Sequence, residues 1–203
     1  MSNSVETALL KLFEARYGAK LEALVTFPPA RNNQEAKNNN WSGRIPPVTD
    51  TKMIVAWNSL MISGLARAYA VFKQDAYLSL ATRAANFILD NQWLDGRFHR
   101  LNYEGQAAVL AQSEDYALFI KALLDLEQAS QVTGEEQDCL WLEKVIAVQA
   151  EFDQFLWSIE LGGYFNTSGD TGQELIVRER SYADTATPSA NGIAIANLYQ
   201  VAF

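Results

Sequence analysis

Three polar clusters hold most of the side chains that could do chemistry in this sequence. The first is Asp50-Thr51-Lys52 followed by Trp57-Asn58, the second Ser113-Glu114-Asp115-Tyr116, and the third Asp184 with Pro188-Ser189 and Asn191. Aromatic rings stand beside them in Trp57, Tyr116 and Tyr182, with Trp93 and Tyr164 further off. Carboxylates next to aromatics suit a sugar or sugar acid: apolar ring faces stack, and ionised acids accept hydrogen bonds from hydroxyls. Glu114, Asp115 and Asp184 are the candidate acid–base groups. Asp50, Lys52, Trp57, Asn58, Tyr116, Ser189 and Asn191 are the candidate substrate-binding groups. Glycoside cleavage needs two carboxylates about 5–9.5 Å apart, and Glu114 or Asp115 with Asp184 would supply them. Proton transfer beside a carbonyl calls for bases near neutral pKa. His99 is the only histidine, so a two-histidine mechanism is not contained in this chain.

Each cluster also has a structural reading. Ser113 with Glu114 and Asp115 is a helix start, a capping residue followed by acids in the first turn. Pro188-Ser189 opens a helix in the ordinary way, and Asp184 can cap a turn. Asn58 and Asn191 fall within apolar helices, where a buried amide needs partners. His99 reads as a surface or hydrogen-bonded residue of a hairpin. Cys139, in QDCLWLEKV, reads as helix filler. No phosphate-binding loop, dinucleotide fingerprint or metal-spaced cluster is present, so neither a metal nor another cofactor is expected.

The elements that must position these clusters repeat. A first helix is expected from Val5 to Tyr17, with Ser4 capping it and Gly18 ending it. An irregular stretch from Phe27 to Thr51 follows, holding Pro28, Pro29, Pro46, Pro47 and the Asn run 38–40. From Met53 the pattern becomes regular, and AWNSLMISGLARAYAVF is apolar on most of its circumference, as in a helix buried on nearly all sides. Asp75 opens an amphipathic helix, and Asp95-Gly96 and Glu104-Gly105 bracket a small hairpin. The order then recurs as SEDYALFIKALLDLEQAS, an amphipathic helix ending in FDQFLW, and a second Gly-rich hairpin in LWSIELGGYFNTSGDTGQELIV. A third apolar helix begins near Pro188. Such an internal repeat predicts stacked helix pairs, apolar helices inside and amphipathic ones outside. If the inner helices run parallel, all three clusters and both hairpins lie at one rim. Helix N-termini there present free N–H groups to polar ligands.

The chain thus reads as residues 1–52, a helix and an irregular segment, then 53–203, an incomplete all-α domain. Its last apolar helix runs to Phe203, as in an unclosed arc completed by further sequence or by self-association at the open edge. Twenty-four acids against 16 bases give a net charge of −8, which excludes a nucleic-acid partner that needs a basic stripe. No apolar run reaches the roughly 18 residues of a membrane span. The first residues lack a basic leader and apolar signal core. A cytoplasmic protein is expected.

The runs DTKMIVAWNSLMISGLARAY, SEDYALFIKALLDL, GGYF and YADTATPSANGIAIANL together resemble the C-terminal part of the thioredoxin-domain family related to spermatogenesis-associated protein 20. The likeness covers Asp50 to Phe203 and, weakly, KLFEARYGAK. It implies an (α/α)6-type toroid of the six-hairpin glycosidase class, similar to N-acylglucosamine 2-epimerases. It also implies an accompanying thioredoxin-like domain. The matching motif residues are Asp50, Lys52, Trp57, Asn58, Glu114, Asp115, Tyr116, Asp184, Pro188, Ser189 and Asn191. The family pattern often reads Asp-Asp-Lys and Trp-Asn-Gly, where this chain has Asp50-Thr51-Lys52 and Trp57-Asn58-Ser59. A carbohydrate-binding or carbohydrate-modifying domain is therefore expected; the alternative is a non-catalytic scaffold that positions a thioredoxin-like partner.

Overall fold

The computed structural model describes residues 3–17, 33–38, 50–131, 140–170 and 176–202. They divide into two units, residues 1–51 and 52–203. The described residues are mostly helical, with one small antiparallel sheet.

The first unit holds α1 (Asn3–Tyr17) and α2 (Asn33–Asn38). Ser4 lies inside the first turn of α1 rather than capping it. Within the expected irregular stretch α2 forms a short helix, with Glu35 in its first turn and Lys37 in its last, both favourable to the helix dipole. Gly18, the four prolines at 28, 29, 46 and 47, and Asn39 and Asn40 lie outside the described residues, as does Cys139.

The second unit runs β1 (Met53–Ile54), α3 (Val55–Phe72), α4 (Asp75–Gln92), β2 (Trp93–Leu94), β3 (Arg97–Tyr103), β4 (Gln106–Leu110), α5 (Ser113–Gln131), α6 (Leu140–Leu156) and α7 (Ala190–Ala202). Met53 and Ile54, just ahead of the expected helix, pair with Asn102 and Leu101 of β3. The helix starts only once that strand ends, because Ile54 is extended at φ −100° and ψ 128°. β3 is the hub of the sheet, pairing with β1, β2 and β4. Both of its tight turns have two central residues at positive φ, Asp95 and Gly96 at 53° and 73°, Glu104 and Gly105 at 52° and 82°. Turns of that hand match the twist of paired strands, which explains the Gly in each second position.

The second expected hairpin does not form a ladder among the described residues. It is reduced to one bridge, Trp157 to Tyr164. The chain reverses there through Ser158 and Gly163, with Gly162 and Gly163 at φ 68° and 77°. Gly163 is also required by space, since a Cβ would stand 2.9 Å from Asn191 Oδ1 and 3.0 Å from the Tyr182 hydroxyl.

The core centres on α5, which packs on α3, α6 and α7 and is buried almost continuously from Asp115 to Leu126. A column of rings runs through it: Phe98 to Tyr116 at 5.5 Å, Tyr116 to Phe152 at 5.1 Å, and Phe152 to Tyr164 at 3.7 Å. The expectation that α3 is buried on nearly all sides fails. It buries Val55, Ala56, Ser59, Ile62, Ser63, Ala66 and Tyr69, and exposes the opposite side. No helix among the described residues is long and apolar enough to cross a membrane.

Candidate functional site

Helices α3 and α5 run parallel and α7 packs beside α5, as their cross-links show. Ala56 N–H, in the first turn of α3, donates to Asp115 Oδ1 in the first turn of α5 at 3.0 Å. Ser63, two turns further along α3, donates to Asp125, further along α5. On the other side Asn197 Nδ2 of α7 donates to Ala117 O of α5 at 2.8 Å. The N-termini of α3 and α5 therefore share one end of the unit.

Two loop segments close that end. Ser113 N–H donates to Asn166 O at 3.0 Å, and Asn166 Oδ1 accepts from Ser181 N–H at 3.2 Å. Asn191 answers the question of its buried amide: Oδ1 accepts from Tyr164 N–H at 2.7 Å, while Nδ2 donates to Tyr164 O and Ser181 O. Ser189 Oγ donates to Ser181 O and accepts from Gly192 N–H, a cap on α7. Between the α5 N-terminus and the 181–190 loop lies a cavity of about 200 Å³. Its walls carry Gln112, Ser113, Glu114, Asn166, Ser181, Thr185, Thr187 and Ser189, so hydroxyl and amide groups dominate. Among the described residues Glu114 is the one titratable side chain lining it.

The three candidate acids are placed in three different environments. Glu114 lines the cavity and is held by Arg100 Nη2 at 2.6 Å. Asp115 is fully buried and already satisfied: Oδ1 by Ala56 N–H, Oδ2 by Gln112 N–H at 2.9 Å and by Arg100 Nη1 at 2.9 Å. Reaching back from the first turn to the N–H before the helix is half of a capping box. The same carboxylate caps α3, where Ile54 offers no side-chain cap. Burial pushes the Asp115 carboxyl up to about 6, and Arg100 with the two backbone N–H groups keeps the rise from going further. Arg100 is lowered by its own burial, yet its two carboxylate partners more than offset this and leave it above its ordinary value. Asp184 is exposed, accepts from Ser189 N–H at 2.8 Å, and does not line the cavity. No carboxylate pair therefore meets across the cavity.

Of the candidate binding residues only Ser189 lines it. Lys52 is exposed, and Asp50, also exposed, belongs to the first unit. Trp57 is 62% exposed and outside the cavity. Asn58 donates to Ile54 O at 2.9 Å, so its half-buried amide is served by its own helix. Tyr116 is buried, its hydroxyl donating to Glu151 Oε1 at 2.6 Å. Burial, then that bond, raises the Tyr116 phenol far above its usual range. His99 pairs with Leu110 in the sheet, and its Nδ1 lies 3.1 Å from Arg97 O.

Two residues that organise the site escaped the sequence reading. Arg100 bridges Glu114 and Asp115. Glu151, buried on α6, also accepts from Trp93 Nε1 at 2.7 Å and Phe98 N–H at 2.8 Å, tying α6 to the sheet. A signal existed for Glu151. It falls on the same helical stripe as Val145, Val148, Phe152 and Leu156, all buried, where an acid must find partners.

No protein-family model matches the chain. It is 34% identical, over 95% of its length, to spermatogenesis-associated protein 20 of Homo sapiens. It is 33% identical over the same share to the protein of that name from Rattus norvegicus. An uncharacterized protein of Caenorhabditis elegans is 33% identical over 82% of the chain. The chain spans only 25%, 25% and 23% of the length of these relatives. It is thus similar, across nearly all its own residues, to one region making up a quarter of spermatogenesis-associated protein 20.

Proposed function

We propose that residues 52–203 form a carbohydrate-binding domain, an arc of an (α/α)-toroid whose rim cavity takes a small neutral sugar. The observation that carries this is the lining of the cavity: hydroxyls and amides from α5 and the 181–190 loop, with Glu114 as one carboxylate. Its volume, about 200 Å³, suits a ligand of monosaccharide size. A sugar acid would bring its own negative charge towards Glu114, so neutral hydroxyl-bearing ligands are favoured. The row of α3, α5 and α7 with α4 and α6 packed on it supports the toroid reading. Binding is favoured over glycoside cleavage, which needs a second carboxylate facing the first. Asp115 is committed to two helix starts and Arg100, and Asp184 to the α7 turn. That commitment of the acids to structure also supports a scaffold that accompanies a thioredoxin-like domain, as the second reading.

The test is a thermal-shift series with neutral mono- and disaccharides and with sugar acids, on the chain and on Glu114→Gln. A ligand that binds the native state raises the melting temperature by mass action. A shift with a neutral sugar, diminished in the variant, is expected. No shift with any neutral sugar, or a shift indifferent to Glu114→Gln, would leave the scaffold reading standing.

A further inference from the structure

Arg100 does not line the rim cavity, yet it holds two of the side chains that do. From β3 its Nη2 reaches Glu114 Oε1 at 2.6 Å, while its Nη1 reaches Gln112 Oε1 at 3.3 Å and Asp115 Oδ2 at 2.9 Å. Asp115 keeps the guanidinium in place, because that carboxylate is fully buried and is fixed in turn by Ala56 N–H and Gln112 N–H. One planar cation thus joins a buried anchor to two groups of the cavity wall.

These contacts decide the polarity of that wall. A guanidinium has donors and no acceptor, so the end of the Gln112 amide that faces Arg100 must be its carbonyl oxygen. Nε2, which can only donate, is left on the other side, and among the described residues it has no acceptor. Glu114 is the opposite case. An ionised carboxylate only accepts, and one bond to Arg100 leaves it lone pairs to spare. Held by one side chain, Gln112 therefore donates where Glu114 accepts. A hydroxyl can do either. Hydroxyls on two adjacent carbons meet this pair, one accepting from Gln112 and the other donating to Glu114.

We propose that Arg100 is the positioning residue of the cavity, and that the Gln112 and Glu114 pair it fixes selects sugars by two adjacent hydroxyls. The proposal rests on the carbohydrate reading above and narrows it from hydroxyl-bearing ligands in general to vicinal diols. A ligand that keeps only one of the two hydroxyls strands either the donor or the acceptor, and loses about tenfold in affinity. Arg100→Lys keeps a positive charge beside Asp115. A point charge on a flexible stem cannot hold Glu114 and Gln112 in one plane, however, so Gln112 Nε2 loses its fixed direction.

The experiment has two arms. The first needs no ligand: the ¹⁵N heteronuclear NOE of the Gln112 side-chain amide, assigned by its loss in Gln112→Met, is measured in the wild type and in Arg100→Lys. Far-UV circular dichroism checks that each variant is folded. A rigid amide that becomes mobile in Arg100→Lys is expected; an amide already mobile in the wild type overturns the role of Arg100. The second arm titrates D-glucose, D-galactose and D-mannose, with their monodeoxy analogues, into the wild type and both variants. In the wild type the tenfold losses should fall on two adjacent carbons. Gln112→Met should abolish the loss at one of them and keep it at the other, and Arg100→Lys should diminish it at that same carbon. Losses scattered round the ring, or unchanged in both variants, overturn the selection of a diol. If Arg100→Lys does not fold, the wild-type amide and Gln112→Met decide alone. A wild type that binds none of these sugars removes the carbohydrate reading and the diol with it, while the first arm still decides whether Arg100 fixes Gln112.

Discussion

Replacing Arg100 with Met should destabilise the protein in a pH-dependent way, because it leaves Asp115 charged and buried with no counter-ion. Arg100 Nη1 is 2.9 Å from Asp115 Oδ2, and the Asp115 side chain has no solvent exposure. Removing one partner of a buried pair costs about 3–5 kcal/mol. Arg100 is 20% exposed and Asp115 keeps two backbone N–H donors, which sets the expectation at the low end, about 3 kcal/mol at pH 8. The direction with pH follows from the folded carboxyl titrating near 6, above its ordinary value of 3.8. A carboxyl raised by folding binds its proton more tightly in the native state. Stability from this group is therefore flat above about 6 in the wild type and rises as the pH falls towards 4. Without Arg100 the folded value moves higher still, so the variant begins to recover stability above pH 6. Its deficit should shrink between pH 8 and pH 6 by up to about 1.4 kcal/mol per unit. Urea melts of both proteins at pH 8 and pH 6 read this directly. Adding Asp115→Asn to the variant should recover part of the loss at pH 8, a coupling that a double-mutant cycle isolates. An Arg100→Met deficit below about 1 kcal/mol, or one equal at both pH values, would refute the reasoning.

Gly163→Ala should cost about 2 kcal/mol or more, since the position needs a positive φ and its Cβ would press on Asn191 and Tyr182; a chemical-denaturation midpoint checks it, and a neutral result would contradict the contact. Tyr116 and Tyr164 are both raised above the ordinary phenol range, by burial and by their bonds to Glu151 and Asp153. Both should stay protonated at pH 11, read as phenolate absorbance at 295 nm lost on Tyr116→Phe or Tyr164→Phe only after unfolding, and both should cost stability as the pH rises through about 10. Glu151→Leu should destabilise by about 3 kcal/mol by stranding Trp93 Nε1, Phe98 N–H and the Tyr116 hydroxyl, measured by thermal melting.

Local signals in the sequence located most of the helices and the first hairpin. Asp95-Gly96 and Glu104-Gly105 announced turns because few residue pairs tolerate two positive φ values in succession. Asp75 marked the start of α4 by its charge in the first turn. For the second hairpin Gly162-Gly163 signals a reversal but says nothing of how long a ladder follows it, and among the described residues one bridge does. The pairing of Met53 and Ile54 went unseen because their partner, β3, lies nearly 50 residues away. The same distance hid the site. Asp115 reads as a cap on its own helix, and nothing local shows that it also caps α3, 59 positions away. Arg100 and Glu151 owe their importance to partners on other elements, which no spacing rule reaches.

The central claim is tested most directly by titrating the ¹⁵N-labelled chain with a neutral monosaccharide and mapping the amide shifts. The account predicts saturable changes at Ser113, Glu114, Thr185, Thr187 and Ser189, with little change at Trp57 or along α4. Saturable shifts centred elsewhere, or none at all with any neutral sugar, would contradict it.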